Sequence, residues 1–96
     1  MALEDSYKLE LIRNRSVEAV YERVERLLAE RQDVCTCETC VLDLVAFTLN
    51  HVRPQYQTSL LGDLHPDKAR EKKLAVEIDL ALHEGLQRLR KHAHHD

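Results

Sequence analysis

The sequence predicts a mainly all-α fold: a small three-helix domain with a short extended segment after the second helix, assembled as a homodimer. Three observations predict it. Only two glycines and two prolines interrupt 96 residues, and Glu, Arg, Leu and Ala are abundant, which favours helix. Apolar residues recur at spacings of three and four in three separate stretches. A chain this short buries only about 60–65% of its unfolded surface, so a second copy or a metal ion would offset a thin core.

Residues 1–96 are expected to form one domain. Residues 1–5 are expected to be a frayed tail, and residues 6–30 one long helix. Val17, Val20, Tyr21, Val24, Leu27 and Leu28 fall on one face of that helix. Charged residues between them form a solvated face, and Glu22 and Arg26 are four apart in the favourable order. Gln32 and Asp33 end the helix. Thr36 and Thr39 are the candidate N-caps of a second helix, running from about Cys40 to His51. Its buried face is Val41, Leu44, Val45, Thr48, Leu49 and Val52, and Asp43 is the one acid within it. A short helix this apolar belongs at the centre of the fold or in a dimer interface.

Pro54 pushes Arg53 away from helical angles and stops the second helix. Residues 55–60 alternate and read as an extended segment. Gly62-Asp63 is a turn. A third helix is expected over 66–92, with Pro66 at its first position. Its apolar face is Leu74, Ile78, Ala81, Leu82, Gly85 and Leu89. Gly85 on that face marks a close helix crossing. The His-rich tail, His92 to Asp96, reads as a frayed terminus.

Several function classes are set aside by composition. The net charge of −3 argues against wholesale nucleic-acid binding. No apolar run approaches the roughly 18 residues of a membrane span. The first ten residues carry Glu4, Asp5 and Glu10 and lack the apolar stretch of a secretory signal. Thiols without such a signal point to the cytoplasm.

All three cysteines lie in the run Cys35-Thr36-Cys37-Glu38-Thr39-Cys40. A packing role gives no reason to cluster them. Three is odd, so an intrachain disulfide would leave one thiol over. C-x-C-x-x-C spacing can converge three thiolates on one Zn²⁺, which takes four tetrahedral ligands. A redox thiol cluster is the competing reading. The fourth ligand is open. His51 lies eleven residues past Cys40, about 16 Å along one helix, too far to close the same site. His65, His83 or a group from a partner chain remain. There is no H-E-x-x-H pattern, no deaminase arrangement of His, Glu and paired cysteines, and no glycine-rich phosphate loop. An enzyme is therefore not expected. Glu38 reads as a first-turn acid favoured by the helix dipole.

Asn14 and Glu18 in the opening helix, then Cys35-x-Cys37-x-x-Cys40, then Asp43, Ala46, Leu49-Asn50 and Arg53-Pro54-x-Tyr56 resemble the late competence protein ComFB family. The resemblance spans about residues 12–60 and is most specific in 35–56, the zinc and core motif. Arg53 stands where a proline is common, and the third helix has no counterpart in the motif. The resemblance implies a small helical bacterial protein, usually a homodimer, with a cysteine zinc site in some members. Other members, notably cyanobacterial ones, resemble cyclic-dinucleotide receptors. None is known as an enzyme. The family name records an operon association with competence.

That resemblance directs attention to Arg13, Asn14, Arg15, Arg53 and Tyr56 as candidate ligand-binding residues. Arginine forks suit phosphates and the O6/N7 edge of guanine. Tyr56 can stack on a purine. Two sets around a dimer axis would suit a two-fold ligand such as cyclic di-GMP. On one helix Arg13 and Arg15 would not face together. Two alternatives stand beside this: a zinc-stabilised protein–protein interaction module with an unidentified partner, and zinc-supported nucleic-acid binding.

Overall fold

The computed structural model describes residues 2–58 and 68–91, with the backbone alone for Lys91. In chain order the elements are a one-turn helix α1 (Leu3–Ser6), a 3-10 turn (Leu9–Leu11), β1 (Arg13–Asn14), α2 (Arg15–Glu30), α3 (Glu38–Asn50), β2 (Tyr56–Gln57) and α4 (Lys68–Lys91). The turn expected at Gly62-Asp63, the start of the third helix at Pro66, residues Ser59 and Leu60, His65 and the His-rich tail lie outside the described residues.

The expected helix over 6–30 is shorter than the sequence implied. It starts at Arg15, and the residues ahead of it form α1, the 3-10 turn and β1. The cause is local. Asn14 is extended, and its side-chain carbonyl accepts the Ser16 backbone N–H at 3.0 Å. That satisfies one of the amides left over at a helix start and sets the first turn there. The apolar period begins only at Val17, so nothing in packing extends the helix backward. The expected tail over 1–5 likewise contributes to α1, whose residues are all exposed.

Three amphipathic helices build the core. Val20 and Val24 come from α2, Leu44 and Thr48 from α3, and Leu74, Ile78, Ala81, Leu82 and Leu86 from α4, with Val52 just beyond α3. Of the expected faces, Tyr21 alone points largely to solvent, at 56% exposed. Leu86 joins the core although it was not on the expected face. α3 packs against both α2 and α4, which accounts for its apolar composition. Thr48 is fully buried there, and its hydroxyl donates to Leu44 O at 2.8 Å. A buried hydroxyl without that bond would be costly.

Gly85 sits where α4 crosses α3. A Cβ at that position would lie 3.0 Å from both Leu44 Cδ1 and Phe47 Cδ1. The missing side chain lets the two helices approach closely. Polar ties run along the outside of the bundle. Arg23 of α2 donates to Asp79 of α4 through Nε at 3.1 Å and a terminal nitrogen at 2.6 Å.

β2 is the extended segment expected after the second helix. Its partner is β1, antiparallel, with Arg13 opposite Gln57 and Asn14 opposite Tyr56. The pairing continues as Arg15 N–H to Gln55 O at 2.8 Å.

Candidate metal centre and a second polar cluster

The link between α2 and α3 is fixed before the cysteines begin. Arg31 donates to both carboxylate oxygens of Asp33, at 3.0 and 2.6 Å, and Arg90 of α4 adds a bond at 2.9 Å. The Arg31 guanidinium therefore holds the Asp33 carboxyl below its ordinary value, and the nearby Arg90 charge adds to this. This anchor carries no sequence motif. Its only sign was an acid placed just after a helix end.

Cys37, rather than Thr36 or Thr39, caps α3. Its extended backbone lets the sulfur accept the Cys40 N–H at 3.4 Å. α3 accordingly begins at Glu38, two residues ahead of expectation. Cys37 is exposed, Cys35 half-buried and Cys40 buried. The Cys40 backbone N–H, then the neighbouring thiols, hold the Cys37 thiol below its ordinary value. Burial pushes Cys40 up to about 12, helped by the thiols of Cys37 and Cys35.

The three sulfurs all lie within 4.8 Å of one another. Tetrahedral thiolates at about 2.3 Å from Zn²⁺ stand roughly 3.8 Å apart. The donor set therefore fits a metal ion after a contraction of at most about an ångström, and thiolates suit a soft or borderline metal. Among the described residues no fourth His, Cys, Asp or Glu joins the group. His51 caps the far end of α3, stacked on Phe47 with ring centroids 4.1 Å apart. His83 is engaged with Gln87 at 3.2 Å. Neither belongs to the cysteine group, and His65 lies outside the described residues.

The five candidate ligand residues meet at the other end of α3, some 20 Å away by helix rise. β1 and β2 bring 13–15 beside 53–56 across about forty residues of sequence. Ser16 pins the junction: the residue is 1% exposed, and its hydroxyl donates to Arg53 O. Asn14 Oδ1 accepts Gln55 N–H at 2.9 Å as well as Ser16 N–H, so its carbonyl works as a structural clamp. Arg13 is exposed and paired with Glu18. Arg15 and Arg53 are exposed, and among the described residues no carboxylate forms an ion pair with either. Tyr56 is 69% exposed, so it is a surface residue and not core.

The register sorts these side chains. Residues directly opposite in a ladder share a face, so Asn14 goes with Tyr56 and Arg13 with Gln57. Because Asn14 is extended, Arg13 and Arg15 fall together on the face opposite Asn14 and Tyr56. The expectation that these two arginines must diverge rested on a helix that begins only at Arg15. Ser16 and Asp33 are the residues that sequence reasoning missed. Their roles are long-range hydrogen bonds, which no spacing in the chain announces.

No helix among the described residues is long and apolar enough to cross a membrane. No curated protein and no solved structure matches the chain. A family model does match, over residues 13–93, which takes in both polar clusters and carries through α4, beyond the 12–60 stretch of the motif resemblance. By that match over most of its length, the chain belongs to the family described as late competence development protein ComFB.

Proposed function

We propose that this chain is a regulatory module that works by binding rather than by catalysis: a zinc-holding homodimer that acts as a receptor for a cyclic dinucleotide, cyclic di-GMP. The observation that carries the ligand reading is the set of exposed arginines at the β1–β2 junction, with Tyr56 exposed on the opposite face of the ladder. Arg15 and Arg53 are the phosphate-binding forks, Arg13 is a third once it leaves Glu18, and Tyr56, on the other face of the ladder, is a separate stacking surface. Asn14 holds the junction and presents its amide edge. Arginine is suited to this because its planar fork meets phosphate oxygens in pairs.

Zinc, in this reading, is held by Cys35, Cys37 and Cys40 as thiolates, with a fourth ligand from His65 or from the partner chain. Bound zinc would supply a cross-link between the α2–α3 link and the start of α3, a structural role. The dimer is supported by large apolar side chains left in solvent: Leu3, Tyr7, Leu11 and Ile12 ahead of α2, Tyr21 on α2, and Leu42, Val76 and Leu80 on α3 and α4. A two-fold axis would double the arginine set for a two-fold ligand. The same exposed Leu42, Val76 and Leu80 favour a second reading, a protein-interaction module tied to competence as the family's description implies.

A thermal-shift assay with cyclic di-GMP separates the two. A ligand that binds only the native state raises Tm in proportion to the logarithm of its concentration above Kd. The receptor reading expects a concentration-dependent rise. A Tm unmoved at about 100 μM ligand, in protein with its metal in place, would leave the protein-interaction reading.

A further inference from the structure

Residues 2–12, ahead of β1, form an arm that the core does not absorb. Its backbone hydrogen bonds run within itself: Tyr7 N–H to Leu3 O, Leu11 N–H to Lys8 O and Ile12 N–H to Leu9 O. Of its residues only Leu9 is half-buried. Leu3 and Leu11 are each 59% exposed, and Tyr7 is 65% exposed. Apolar side chains gathered in solvent along one segment mark a contact surface. Acids stand among them: Glu4 and Asp5 lie between Leu3 and Tyr7, and Glu10 precedes Leu11. Among the described residues none of the three forms an ion pair.

The outer side of α4 has the complementary character. Leu74, Ile78 and Leu82 turn inward, while Val76 and Leu80 stay 58% and 67% exposed. Val76 and Leu80 are four apart and share one face. Lys72 and Lys73 lie four and three residues ahead of Val76, so they continue that face toward the helix start. Both lysines are exposed, and among the described residues neither pairs with a carboxylate. The arm is thus apolar and acidic, and the α4 face apolar and basic. Within one chain they do not cover each other, since both remain exposed.

We propose that the arm of one copy docks on the Lys72, Lys73, Val76 and Leu80 face of a second copy, and that the second copy's arm does the same in return. This rests on the homodimer of the proposed function and names its contact. Two-fold symmetry makes the two contacts equal and closes the assembly at two chains. Burial of the apolar side chains supplies the affinity, and the acid–lysine pairs set the orientation and disfavour other partners. Ile12 leads directly into Arg13, so the exchange also brings each β1–β2 junction beside the other copy's α4.

The test uses the full chain at about 0.15 M salt, which screens charges that are not in contact, with mass read by light scattering. Glu4→Lys with Asp5→Lys reverses the arm, and Lys72→Glu with Lys73→Glu reverses the face. Each double variant alone should dimerise about a hundredfold more weakly than wild type. An equimolar mixture of the two should recover the dimer, because the reversed arm then meets the reversed face and the native arm the native face. Glu25→Lys with Glu30→Lys, two exposed positions on α2, makes the same change in net charge and should leave the dimer intact. A dimer that survives reversal of the arm overturns the exchange and leaves the homodimer standing. A mixture that stays monomeric, or a control chain that also dissociates, overturns it too. A monomeric wild type overturns the exchange and the homodimer together.

Discussion

Asn14 shows how much one side chain can organise. Its carbonyl oxygen accepts from Ser16 N–H in the helix it starts and from Gln55 N–H in the loop it faces. The residue therefore ends the extended arm, opens α2 and holds residues 53–56 in place. Replacing Asn14 by Ala removes a cap and one long-range bond, that from Gln55 N–H. We expect a loss of about 1–2 kcal/mol in urea unfolding. Asn14→Asp should keep most of that stability, because a carboxylate accepts the same two bonds and suits a helix N-terminus. If Asn14 served only a ligand, both variants would unfold with wild-type midpoints.

At the scale of elements, the α3–α4 crossing and the α2–α3 link carry separate predictions. Gly85 leaves no room: an added Cβ meets Leu44 and Phe47 at 3.0 Å each. Leu44 is 1% exposed and cannot move aside, whereas Phe47 is half-buried. Gly85→Ala sets a helix-propensity gain of about 1 kcal/mol against that contact, so its unfolding free energy should stay near wild type. Gly85→Leu must push α3 and α4 apart and should cost about 1–3 kcal/mol. Equal stability of the two variants would mean the crossing is not tight.

The link behaves differently because its tie is charged and exposed. Asp33, held by Arg31 and Arg90, has its carboxyl below the ordinary 3.8 in the folded chain. The unfolded chain therefore binds this proton first as pH falls. The tie is fully present above pH 3.8 and is lost as pH drops through the lower folded value. Asp33→Asn, compared with wild type in metal-free buffer, should be less stable at about pH 6, and the gap should narrow as the pH falls below 3.8. A gap that persists unchanged into acid would show the contact is not electrostatic.

How far the elements could be read in advance follows from the range of the forces that make them. Val20, Val24, Leu44, Ile78 and Leu82 are core because helical spacing puts them on one face, and spacing is visible in a chain. Gly85 was legible for the same reason. The cysteine cluster was legible because all three thiols come from one short run. β1 was not legible: two residues, Arg13 and Asn14, become a strand only by pairing with Gln57 and Tyr56. The cap of α3 was misplaced onto threonines because a sulfur rarely serves as one. Asp33 reaches across to Arg90, and no local pattern encodes such a contact.

For the molecule as a whole, α3 separates two chemistries. Its start holds the thiol cluster; the chain just past its end holds Arg53 and Tyr56, with Arg13 and Arg15 brought beside them by β1. A change at one end should leave the other intact, since sites this far apart without shared partners behave additively. That independence makes Arg53 the sharpest probe of the receptor reading. Its backbone carbonyl is fixed by Ser16 whatever its side chain is, so Arg53→Ala removes a guanidinium without loosening the junction.

Calorimetric titration of cyclic di-GMP into wild type and Arg53→Ala, with metal content and dimer state checked on both, tests the central claim most directly. Wild type should bind with measurable heat. Arg53→Ala should bind ten- to a hundredfold more weakly, a loss of about 1.5–3 kcal/mol for one charge-assisted hydrogen bond, with metal content and mass unchanged. Absence of binding by wild type, or equal affinity of the two proteins, would contradict the assignment of the β1–β2 junction as the ligand site.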